Sequence, residues 1–178
     1  MTKHFIFATT LSAFAFTGLV SAQSGISGSG TLGVTAQIQG SILVTFTSDV
    51  AGLAVTGTGS SAGALPFASE QMYGGTPATG VTRALTSNTS YTLSTPVDIQ
   101  VDVANTTTST YLLAASLTTA DTHHSFTFNS VVLSASPQTV DATGTYGQAN
   151  SYTFILTVPA ASVANTISNT INFTATSN

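Results

Sequence analysis

The sequence predicts an all-β protein, a single antiparallel sandwich or barrel of about nine or ten strands. Three observations predict it. Apolar and polar residues alternate with period two through most of the chain, and no helical period competes. The alternating runs are short and separated by turns rich in Gly, Asn, Ser and Thr. Each run has one polar face, whereas parallel strands buried on both faces would read as continuous apolar stretches.

Residues 1–22 read as a secretory signal peptide: Lys3 and His4 form a polar start, an uncharged run extends to Val20, and small residues end it at Ala22. Residues 23–30, "QSGISGSG", read as a flexible leader, and residues 31–178 as the β domain. The first strand candidate is "GTLGVTAQIQG", residues 30–40. Leu32, Val34, Ala36 and Ile38 point one way; Gly33, Thr35 and Gln37 point the other. Such a strand either closes its own sandwich or is lent to a second copy. Only Gln39-Gly40 separates it from Ser41, which favours a strand that is kept.

"SILVTFT" (41–47) continues with Ile42, Val44 and Phe46 on one face, and "GLAVTG" (52–57) reads as a shorter strand. Residues 57–80 are irregular. "GVTRALT" and "SYTLST" follow, broken at Ser87-Asn88. "VDIQVDV" has the cleanest alternation, with Val97, Ile99, Val101 and Val103 inward. "STYLLAASLTT" and "HSFTFNSVVLS" come next, the latter turning near Asn129-Ser130. "SYTFILTV" and the terminal run with Ile171, Phe173 and Ala175 complete the set.

Charge is scarce. Beyond the signal peptide the one cation is Arg83, against six acids in the chain. One cation cannot neutralise a phosphate backbone, so nucleic acid is excluded as a partner, and an anionic membrane surface on the same ground. After signal cleavage no run is long and apolar enough for membrane insertion. Without cysteine there is no thiol catalysis.

The remaining chemistry is thin. Asp121 and His123 share a face but show no third ligand for a metal. Asp98 and Asp102 would lie roughly 13 Å apart along a strand, too far for a glycosidase pair. No GxSxG elbow or P-loop occurs. Neither enzyme nor cofactor is expected. Asn88, Asn105 and Asn172 match the N-glycosylation pattern, which arises readily where Ser and Thr make up about a third of the chain. The rival use is a carbohydrate- or matrix-binding module, for which Tyr73 and Tyr146, in Gly-rich loops, are the candidate contacts.

"GVTAQIQGSILVTF", "ALPFASEQMYG" and "VPAASVANTISNTINFTATSN" together resemble the bacterial spore coat protein U and pilin-like secreted proteins. The resemblance implies an immunoglobulin-like sandwich, reached by periplasmic transit and placed outside the cell or on its outer surface. It implies a structural or adhesive fibre or coat subunit whose partners are further copies, assembled by donating a strand. The cysteine pair usual in those proteins is missing, Ser41 standing about where its first member would fall. The penultimate tyrosine of chaperone-assembled pilins is missing too. Independently, a chain with no lysine after residue 3 lacks the commonest protection of exposed strand edges.

Overall fold

The computed structural model describes Gly33, residues 35–162 and residues 166–178. Among them no helix occurs, and nine strands make two antiparallel sheets. In chain order these are β1 (Ser41–Thr47), β2 (Thr82–Ser87), β3 (Ser90–Ala104), β4 (Thr110–Leu117), β5 (Ser125–Phe128), β6 (Val131–Val132), β7 (Gln138–Thr145), β8 (Ala149–Pro159) and β9 (Ile171–Ser177). The larger sheet runs β1-β3-β8-β5-β6, with β2 also paired to β3. The smaller runs β7-β4-β9.

Strand β3 is the spine. "SYTLST" and "VDIQVDV" are not two strands but one of 15 residues. Tyr91, Leu93, Thr95, Val97, Ile99 and Val101 are all buried, at every second position. β8 runs along one side of it from Ser90↔Pro159 to Gln100↔Ala149. The other side is shared: β2 takes residues 90–94 and β1 takes 98–104. Between them lies Pro96, which has no N–H to give. Its partner on β8, Thr153, sends its carbonyl to Asn129 on the far side. The Pro96 carbonyl therefore faces the gap, where a missing donor costs nothing.

The chain crosses this gap through "GLAVTG". Leu53 and Val55 are buried, as alternation predicts, yet the segment is not a strand. The N–H groups of its two inward residues go instead to side chains: Leu53 N donates to Thr95 Oγ1 at 2.7 Å and Val55 N to Ser48 Oγ at 2.9 Å. That explains Thr95, a fully buried polar residue whose hydroxyl holds the crossing. A Cβ on Gly52 would overlap the Pro96 carbonyl, so the passage is open only to glycine.

The core lies between the two sheets. Tyr111, Leu113, Ala115 and Leu117 of β4 face the buried side chains of β3, β5 and β8. Phe173 of β9 ties the layers together, meeting Phe128 edge-on at 4.9 Å and Phe46 at 5.4 Å.

Two further expectations differ from what is observed. β7 is a strand the alternation does not announce. And residues 35–40, expected to lie in the first strand, are exposed and outside any strand, with Ile38 74% exposed. Leu32 and Val34, with residues 1–22 and 23–30 that the sequence reads as signal peptide and leader, lie outside the described residues.

Candidate functional site

A broad, mainly apolar groove of about 1590 Å³ occurs among the described residues. Its floor is the inner face of the large sheet: Tyr91 and Leu93 of β3, Phe126 of β5, Phe154, Leu156 and Val158 of β8. One wall is the irregular segment 61–72, which brings Leu65, Phe67 and Met72. The other is residues 166–173, with Ile167, Ile171 and Phe173. Ile42, Val44 and Phe46 of β1 complete the lining.

The groove is flanked by two sheet edges. β1 ends the large sheet and β9 ends the small one. On β1, among the described residues, only Phe46 has its outer backbone groups taken, donating N–H to Ser60 O and accepting from Gly59 N. Along the rest of β1, and along the outer side of β9, no strand is paired among the described residues. An apolar trough between unpaired strand edges is the geometry that takes up a further strand.

The wall 61–72 is not a loose loop. Arg83 of β2 spreads its guanidinium over three carbonyls, Gln71 and Gly74 at 2.7 Å and Gly75 at 3.1 Å. Glu70 accepts from Ala78 N through Oε1 at 3.0 Å. Its Oε2 is buried and has no hydrogen-bond partner. Burial, and after it the Glu70 charge, push the neighbouring Tyr91 phenol up.

The other polar clusters have structural roles. Asp121 caps a bend rather than facing a metal. Its Oδ1 accepts His123 N and His124 N, each at 2.8 Å, and its Oδ2 meets His124 Nδ1 at 3.0 Å. Burial pushes this carboxyl up, but those bonds outweigh it and hold the pKa at about 2. No group of three or more His, Asp or Glu suited to a metal occurs among the described residues. Asp102 is bonded by Gln100. Asp98 stands opposite Ser151, and burial, then the charge of Asp49, raise its pKa. Asp49 accepts from Ala51 N and Ser151 Oγ, and these bonds lower its own. Nothing in the sequence marks Asp49 as the neighbour of Asp98, since the two meet only because the chain turns back at the gap.

Of the two tyrosines expected in exposed loops, Tyr73 is 61% exposed. Tyr146 is not: its ring packs on Tyr111 at 5.2 Å and its hydroxyl is buried. Of the glycosylation asparagines, Asn88 sits in the exposed β2–β3 turn. Asn105 and Asn172 spend their amides on Gln39 O and Thr118 Oγ1. The floor of the groove is legible in the alternation; Glu70 and Arg83 are not, because they lie on or against an aperiodic segment. No family model matches the chain, and no curated protein matches it.

Proposed function

We propose that this protein is a secreted, non-enzymatic structural subunit of the bacterial cell surface that associates with further copies by strand addition. The observation that carries the reading is the mainly apolar groove between β1 and β9, the sheet edges that pair with no further strand among the described residues. Its natural occupant is an extended segment with apolar side chains at alternate positions. The chain owns one, with Leu32, Val34, Ala36 and Ile38 at those positions.

The route out of β1 speaks against a tight hairpin that returns that segment along β1. Folding it back along β1 through Gln39-Gly40 would need a two-residue hairpin with positive φ in the turn. Neither residue has positive φ. Instead Asn105 Nδ2 holds Gln39 O at 3.1 Å, and Gly40 lies close against the Asn105 carbonyl. The scarcity of charge fits the same reading, since identical subunits repel one another little.

The test is the mass and form of residues 23–178 in solution and their location in the producing cell. Polymers in negative stain and native mass measurement, recovered also from surface material, are the expected result. A monomer at high concentration, absent from the surface, overturns the reading.

A further inference from the structure

We propose that the outer edge of β9 pairs with the β9 of a second copy, antiparallel and about a two-fold axis at Thr174. This goes beyond strand addition and is independent of it. The pairing uses no residue before Ile171, and it leaves the groove and the edge of β1 to the added strand.

The outward groups of β9 follow from its inner pairing. At the two ends of the β4–β9 register, Thr118 N donates to Thr170 O and Asn178 N to Thr110 O. The even-numbered residues therefore face β4, and the N–H and C=O groups of Ile171, Phe173, Ala175 and Ser177 face outward. Among the described residues no strand takes them. Every other edge carries a device against pairing. β1 is stopped at Phe46 by Gly59 and Ser60. β2 has Arg83 and a register shift between Leu85 and Ser87. β6 has only two residues. β7 has Asp141, two register shifts with β4, and the Val140 carbonyl taken by Asn129. β9 has none of these: "INFTATS" is uncharged, lacks proline and glycine, and keeps one register along all 7 residues.

A second copy suits this edge because β9 is complementary to itself. In the register where the whole strand overlaps its counterpart, Ile171 lies opposite the partner's Ser177 and Phe173 opposite the partner's Ala175. Each of these pairs exchanges both backbone bonds. Toward the core, large side chains then meet small ones. On the other face Thr174 meets its own counterpart and Asn172 meets the partner's Thr176, polar pairs of the kind that stabilise neighbouring strands. The three-stranded sheets of two copies become one continuous sheet.

The test uses residues 23–178 carrying Ile38→Asp, which removes strand addition. Native mass measurement is expected to show a dimer. Adding Thr174→Lys is expected to leave a monomer whose melting midpoint, read at a dilution where both chains are monomeric, is unchanged. Thr174 is exposed, and two lysines stand face to face only in the pair. Since the chain has no cysteine, introduced ones report the register. At Thr174 the two Cα atoms would lie about 4.5 Å apart, within disulfide reach. Oxidised Thr174→Cys is therefore expected to give a covalent dimer. Asn172→Cys and Thr176→Cys alone are expected to give none, each lying about 13 Å along the strands from its own counterpart, while a mixture of the two cross-links. Absence of the dimer, its survival in Thr174→Lys, or cross-linking at all three positions alike overturns β9 pairing and leaves strand addition standing. The dimer with this register, beside a parent that forms no polymer, upholds β9 pairing and overturns strand addition.

Discussion

At the scale of single residues, the end of the sandwich near β7 shows how tightly polar and aromatic groups are fitted. Tyr152 donates to Asp141 Oδ2 at 2.7 Å, Tyr111 lies hydroxyl to hydroxyl with Tyr152 at 3.3 Å, and Asn150 donates to Tyr111 at 2.9 Å. Burial pushes the Tyr152 phenol far above its ordinary range. Gly144 lies across from Tyr111 on β7, and a Cβ there would sit 2.2 Å from the ring. Since Tyr111 is fully buried, the ring has nowhere to go. Gly144→Ala is therefore expected to destabilise by about 1–3 kcal/mol, the usual cost of overpacking, read by urea denaturation. Asp121 gives a prediction in pH. Its folded pKa of about 2 lies below the ordinary carboxylate value of 3.8. The stabilisation it supplies is complete above about pH 4 and is lost as pH falls towards 2. Asp121→Asn should remove that part of the acid sensitivity, so its melting midpoint falls less between pH 4 and pH 2 than that of the parent.

At the scale of elements, what the sequence discloses depends on whether side-chain alternation and backbone pairing coincide. In β3, β4 and β8 they do, and all three are legible, β3 as two runs that the structure joins into one strand. In "GLAVTG" the alternation is real, with Leu53 and Val55 inward, but the ladder is replaced by the hydroxyls of Thr95 and Ser48. In β7 the pairing is real but the alternation fails. Only Val140 and Gly144 are buried there, and the register with β4 shifts on either side of Leu113. The groove wall 61–75 has no alternation and only the Thr56–Ala64 bridge for pairing, and Arg83 clamps its far end. That makes it a separable element. Arg83→Ala should free three carbonyls and speed limited proteolysis within residues 61–78, while the sheets keep their far-ultraviolet circular dichroism. Unchanged proteolysis would show that the wall stands without its clamp.

At the scale of the whole molecule, the question is whether the sandwich is finished. Its β6/β7 side is joined by backbone bonds, with Leu117 N donating to Ser134 O at 2.7 Å. Its β1/β9 side has mainly apolar lining, and its edges pair with no further strand among the described residues. Meanwhile Ile38, a large aliphatic residue, is exposed just ahead of β1. Exposed single apolar residues are ordinary, but this one is in phase with Leu32, Val34 and Ala36. Ile38→Asp distinguishes a residue that is merely exposed from one kept for another copy. Within the isolated chain the change touches a solvated position and should move stability by no more than about 0.5 kcal/mol. In an assembly, Ile38 would contribute about 2 kcal/mol by burial, and an aspartate would instead place an unpaired charge in the groove. The expected outcome is an unchanged melting midpoint for the dilute chain together with loss of polymer in negative stain. If Ile38→Asp polymerises like the parent, the open side of the sandwich is not where copies meet.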